Sequence, residues 1–137
     1  MLARDEVRNP GNCILHIANT RVAALLPGDI EAPQERALVA THAAALRADL
    51  LLALHHGSRT SSTEGFLDAA APREEVFQVG YRNRFGHPQA GVLARYPAHG
   101  TRIHRADRDG AIRASSTGRG FEVERCRESK RRYWMGH

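Results

Sequence analysis

Cysteine is scarce in this chain, and that scarcity limits what can hold it together. Cys13 and Cys126 are the two cysteines among 137 residues. They are too few and too far apart for a disulfide framework or a zinc knuckle, so both are expected to be free thiols. No run of about 18 apolar residues is available to span a bilayer. The N-terminus also lacks the basic, apolar and small-residue order of a secretory signal. A soluble chain without a signal or transmembrane segment is the expectation. Internal repeats and long low-complexity tracts are missing as well. With 42% hydrophobic residues, the length suits one small globular domain whose core is feasible but not generous.

Excess charge is lacking over most of the chain. Residues 1–100 hold 10 Lys and Arg against 10 Asp and Glu, so the net charge of +5 arises in residues 101–137, with 10 basic and 5 acidic side chains. That end finishes in Arg125, Arg127, Lys130, Arg131 and Arg132 beside Tyr133 and Trp134. A basic, aromatic-tipped tail can hold a phosphate backbone; a solvated, frayed terminus is the ordinary behaviour of a chain end. The reading divides the chain into a domain over 1–114 and a basic tail over 115–137.

What is present is an α/β alternation. Residues 12–18 and 21–26 read as short strands joined at Asn19-Thr20. Pro33 opens a helix to about Arg47, with Ala37, Leu38, Thr41 and Ala45 as a stripe at helical spacing. Residues 49–54 form a third strand, and Ser62 or Thr63 caps a short helix through Ala70. Residues 75–80 make a fourth strand. Pro88 starts another helix to roughly Tyr96, ended by Pro97 and Gly100. Residues 101–105 and 110–114 look like a final pair of strands, and 115–120 like a loop or linker.

The segment over 50–62, L-L-L-A-L-H-H-G-S-R-T-S-S, carries the chemistry. An apolar run stops at two histidines, then a glycine and hydroxyl residues. Imidazole is a common ligand for transition metals, and Gly57 lets the backbone turn close to an ion. Because strand residues alternate between faces, one of His55 and His56 can ligate while the other supports. An earlier apolar run ends at Gly28-Asp29, and a later one ends shortly before Asn83, Gly86 and His87. Three strands thus deliver Asp, His-His and His from their C-terminal ends, where ligand sites gather in α/β proteins.

Five motifs in order, N-P-G-N-C-I-L-H-I, L-P-G-D-I-E, A-D-L-L-L-A-L-H-H-G-S-R-T-S-S, G-Y-R-N-R-F-G-H-P and R-A-D-R-D-G-A-I-R, resemble the C-terminal half of the metallo-β-lactamase-like domain of the ComEC family of DNA-uptake proteins. The resemblance covers residues 9–114. It implies one half of a four-layer αββα sandwich, a metal-dependent phosphodiesterase site holding two divalent ions (Zn or Mn), and a role in degrading the DNA strand that is not imported during natural transformation. Family members sit in the bacterial inner membrane, with this domain attached to a channel portion. Domains of this superfamily begin with a His-rich loop that supplies several ligands, and this sequence does not contain it. The expectation is therefore a fragment with half of a metal site, inactive alone, that pairs with another copy or a complementary N-terminal half.

Transferred residue by residue, the resemblance implies that Asp29 bridges the metals, that His55 and His56 ligate or support a ligand, and that His87 ligates or contacts substrate phosphate. Asp29, His56 and His87 are the candidate catalytic residues. Ser58, Arg59, Thr60, Ser61, Ser62 and Arg84 suit phosphate contacts, and Asn83 suits orienting His87 or touching substrate. Tyr81 and Phe85 bracket the last loop, where they either stack on a base or pack beneath the loop. His16, His42, His99, His104 and His137 fit no motif. Two functions remain open: the metal-binding half of a DNA-degrading domain, or a vestigial, non-catalytic nucleic-acid-binding domain.

Overall fold

In the computed structural model, which describes residues 12–129, five strands form one mixed sheet in sequence order. They are β1 (Leu15–Ala18), β2 (Ala23–Leu26), β3 (Leu50–Leu52), β4 (Glu74–Phe77) and β5 (Arg102–Arg105). β1 runs antiparallel to β2, and β2 to β5 are mutually parallel. The β1 to β2 turn is closed by Asn19, whose side-chain oxygen accepts from the amides of Arg21 and Val22 at 2.8 and 2.9 Å. Helices α1 (Ala32–His42), α2 (Glu64–Ala70) and α3 (Ala90–Leu93) lie in the crossovers between the parallel strands. The fold is α/β.

Strand register divides the sheet into two unlike faces. Leu25, Leu51 and Phe77 point to the face where Leu46, Phe66, Leu67, Val92 and Tyr96 from the crossover segments pack, and all of these side chains are buried. Leu15, Ile17, Leu26, Leu50 and Leu52 point the other way. Leu15 and Ile17 are 50% and 54% exposed there, while the other three are partly buried. Natural domains seldom leave a contiguous apolar strip of this kind open without using it.

Local readings of the first helix and of the C-terminal region are corrected by the structure. The expected stripe on the first helix is not its buried face: Ala37, Thr41 and Ala45 are exposed, and the buried residue of α1 is Glu35. Its carboxylate accepts from the amide of Ser62 and from the amide and hydroxyl of Thr63, each at 2.7 Å. The helix also stops earlier than expected, giving way to a 3-10 turn over Ala43–Leu46.

Residues 101–105 and 110–114 do not pair with each other. β5 joins β4, a helical turn α4 (Ala106–Asp109) follows, and β6 (Ile112–Thr117) pairs with β7 (Gly120–Arg125). Most of 115–120 is therefore hairpin strand, turning at Gly118 and Arg119, and a short helix α5 (Cys126–Ser129) follows. Most of β6 is exposed, so no apolar alternation marked it. Lys130, Arg131, Arg132, Tyr133, Trp134 and His137, in the expected tail, lie outside the described residues. Among the described residues, Cys13 and Cys126 are free thiols, and no helix is long and apolar enough to cross a membrane.

Candidate functional site at the C-terminal sheet edge

Because β2, β3 and β4 are parallel neighbours, their following loops leave from one edge of the sheet. Asp29, His55 with His56, and His87 lie on these three loops. His56 Nε2 stands 3.5 Å from Asp29 Oδ1, and the His55 and His87 ring centroids are 6.3 Å apart. The two pairs occupy one rim.

β3 ends at Leu52, two residues before the expected boundary, and the histidines are not extended. His55, His56 and Gly57 are three consecutive residues at positive φ, of +44°, +54° and +82°. L-residues with side chains seldom adopt this region, and such strain persists only where surrounding contacts impose it. Here they do. The His55 amide donates to the Gly28 carbonyl at 3.0 Å, the Ser58 amide to the His55 carbonyl at 3.0 Å, and the Gln89 amide to the Gly57 carbonyl at 3.0 Å. The strand alternation expected at His55 and His56 is replaced by a left-handed turn that carries both imidazoles.

Each imidazole meets different partners. His56 Nδ1 donates to the Gln78 carbonyl at 2.8 Å, which leaves Nε2 as the nitrogen facing Asp29. This is how ligating histidines are commonly held, with one ring nitrogen on a backbone acceptor and the other presented to a cation. His55 Nδ1 lies 3.2 Å from Glu31 Oε1, without the angle of a hydrogen bond. Glu31 in turn accepts from the Thr60 hydroxyl at 3.0 Å. His87 Nδ1 is buried and has no hydrogen-bond partner.

The remaining candidates divide into fixed and free. Ser61 is buried, and its hydroxyl lies 2.9 and 2.8 Å from the Leu54 and Ser58 carbonyls, so it braces the histidine turn from below. Ser58 and Thr60 hydroxyls are 3.1 Å apart. Ser62 is buried, and its hydroxyl lies 3.0 Å from the Tyr96 phenol oxygen. Arg59 and Arg84 are exposed near the rim loops. Asn83 fixes its own loop: its amide donates to the Gly80 and His87 carbonyls at 3.3 and 2.6 Å, and its oxygen accepts from the His87 amide at 2.9 Å. Tyr81 and Phe85 are exposed on that loop, not packed beneath it.

Sequence reasoning gave no role to Glu31, Gln78 or the buried trio Glu35, Glu75 and Tyr96. Glu31 sits in L-P-G-D-I-E, two residues after Asp29, and that spacing was its only sign. Tyr96 donates to Glu75 Oε1 at 3.1 Å. Burial pushes the carboxyl of Glu75 well above the usual range, with the Tyr96 hydrogen bond opposing. The phenol of Tyr96 is raised chiefly by the same burial, then by the charge of Glu75.

The donor set suits a divalent cation only in part. Asp29 and His56 present two donors to one point, yet among the described residues no three His, Cys, Asp or Glu side chains are grouped closely enough to hold an ion.

No protein-family model matches the chain. Its sequence is similar to Competence protein ComA of Neisseria gonorrhoeae, 35% identical over 127 residues, covering 93% of this chain and 18% of that protein. It is similar to ComE operon protein 3 of Bacillus subtilis, 30% identical over 105 residues, covering 77% of this chain and 13% of that protein. Recombination protein 2 of Haemophilus influenzae is 25% identical over 119 residues, 87% of this chain and 15% of that protein. The chain is thus ComEC-like in sequence over most of its length, and it spans less than a fifth of each of these curated relatives.

Proposed function

We propose that this chain is the metal-binding half of a ComEC-like DNA-degrading domain that works in DNA uptake during natural transformation. The observation that carries the reading is the meeting of Asp29, His56, His55 and His87 at one sheet edge, with His56 turned by Gln78 so that Nε2 faces the Asp29 carboxylate. Similarity to proteins named for competence and recombination supports the setting.

In this reading the sheet is one layer of a metallo-β-lactamase-like αββα sandwich. The strip of Leu15, Ile17, Leu26, Leu50 and Leu52 packs on the second sheet, whether that lies in the same polypeptide or in another chain. Asp29 and His56 contribute two ligands, and the missing donors come from the complementary half. Divalent ions in such a centre supply a nucleophile at neutral pH and neutralise charge on the phosphodiester. In this reading His87, on the same rim, is a metal ligand or contacts a substrate phosphate. Arg59 and Arg84 hold the backbone electrostatically. Among the described residues no third donor is grouped with Asp29 and His56, which favours a second reading, a domain that binds nucleic acid without cleaving it.

A nuclease assay with metal titration on the chain joined to a metallo-β-lactamase N-terminal half separates the two. Asp29→Ala abolishes metal-dependent cleavage on the first reading, and Arg59→Ala weakens DNA binding in a salt-dependent way with little change in the chemical step. Wild-type turnover by the Asp29 variant removes the nuclease assignment. No cleavage by the wild-type assembly, with binding retained, favours the second.

A further inference from the structure

The loop over 80–87 leaves two aromatic rings in solvent. Tyr81 is 68% exposed and Phe85 63% exposed. Polar contacts brace the loop backbone. Asn83 closes it through the Gly80 and His87 backbone, and the Gln89 side chain donates to the Phe85 and Gly86 carbonyls at 3.2 Å each. The rings are therefore displayed on a fixed frame.

Each ring carries its own cation. The Arg82 guanidinium lies 5.2 Å from the Tyr81 centroid, and that of Arg84 lies 4.8 Å from the Phe85 centroid. The segment G-Y-R-N-R-F-G-H contains two arginines and no acidic residue. Exposed π surface and positive charge thus alternate along one short loop. This combination complements a polyanion whose bases are free to stack. A duplex offers its phosphates to the arginines but keeps its base faces inside the stack, so the aromatic rings gain little from it.

The loop also leads somewhere. Phe85 stacks on His87, with centroids 5.9 Å apart and planes at 26°, and His87 stands 6.3 Å from His55 at 34°. A line of rings runs from the loop tip to the Asp29 and His56 rim. We infer that the 80–87 loop is a stacking platform for single-stranded DNA: unpaired bases lie on Tyr81 and Phe85, phosphates on Arg82 and Arg84, and the strand is led past His87 to the rim. This rests on the DNA-binding reading above and narrows its substrate to an unpaired strand.

Fluorescence anisotropy with a labelled single-stranded 12-mer and with the same sequence as a duplex tests it on the full chain. Wild-type protein binds the single strand at least tenfold more tightly at equal salt. Tyr81→Ala and Phe85→Ala each lower single-strand affinity by about fivefold to a hundredfold and leave duplex binding and the melting temperature unchanged. Tyr81→Phe and Phe85→Tyr, which keep a ring, restore the preference. Equal binding of both DNA forms, with the alanine variants indistinguishable from wild type, overturns the platform and leaves DNA binding standing. Failure to bind either form at low salt overturns both, and rings that serve a protein contact show that outcome.

Discussion

The Pro88 ring lies so close to Gly57 that no side chain fits at Gly57. A Cβ at Gly57 would stand 2.6 Å from the Pro88 Cβ and 2.8 Å from Phe77 Cε1, and the backbone there is at φ +82°. This contact sets the distance between the histidine turn and the loop that carries His87.

Gly57→Ala is expected to be severely destabilising. The left-handed conformation costs about 1–2 kcal/mol and the overpacking about 1–3 kcal/mol, so a loss of about 2–5 kcal/mol should appear in urea unfolding. Gly65, in α2, has nothing within 4 Å of its Cβ position, and Gly65→Ala should raise stability by up to about 1 kcal/mol. Equal effects of the two substitutions would show that the turn is not held as described.

Glu75 gives a pH prediction with a definite sign. Its carboxyl is raised by burial from the ordinary 4.5, so the native state holds a proton that the unfolded chain releases. That contribution is fully present below the unfolded value and is lost as pH rises toward the folded one, with a limiting slope of about 1.4 kcal/mol per pH unit. Glu75→Gln keeps an acceptor for Tyr96 and removes the titration. The variant should be less pH-dependent than wild type above about pH 5 and more stable at neutral pH. Asp107 has the opposite sign: hydrogen bonding to Arg105 lowers its carboxyl, so its contribution is lost on acidification. Thermal melts across pH check both.

The outline of the site was legible in the sequence because it follows from connectivity. Parallel strands put the residues after them on one edge, so Asp29, His56 and His87 had to share a side of the sheet. The detail was not legible, because it depends on contacts across long separations. The Glu35 carboxylate finds its partners 27 and 28 residues away, and a helical stripe count sees only a charged residue. The turn over His55 and His56 is imposed by Gly28, Pro88 and Gln89, which a local strand pattern does not contain. In the β6 to β7 hairpin the run Ser115, Ser116 and Thr117 is polar and exposed, so the second half of β6 reads as a loop.

The open sheet face should govern association. Leu15 and Ile17 on the edge strand β1 are half exposed beside three partly buried leucines. The full chain is expected to self-associate or bind an apolar dye through this strip. The double substitution Leu15→Lys and Ile17→Lys should reduce both, with little effect on helix content. Size-exclusion chromatography with light scattering gives the readout. A wild-type monomer with no dye binding would mean that the face is covered within the chain.

Metal binding is expected to be weak in this chain and to depend on Asp29 and His56 together. Two donors at one point fall far short of the about 10–16 kcal/mol seen for closed structural zinc sites. Calorimetric titration with Mn²⁺ or Zn²⁺ should therefore give a shallow isotherm, and a chelator should leave the melting temperature unchanged. Asp29→Asn and His56→Ala should each erase that binding, because Nε2 of His56 faces Oδ1 of Asp29 and neither atom alone makes a site. His55→Ala should change it less, since its Nδ1 is beside Glu31 instead. Restoring the complementary half should tighten wild-type binding sharply and leave the Asp29→Asn variant weak. A tight, stoichiometric two-ion centre in the chain by itself would defeat the half-site reading, since it would require donors that are not grouped among the described residues.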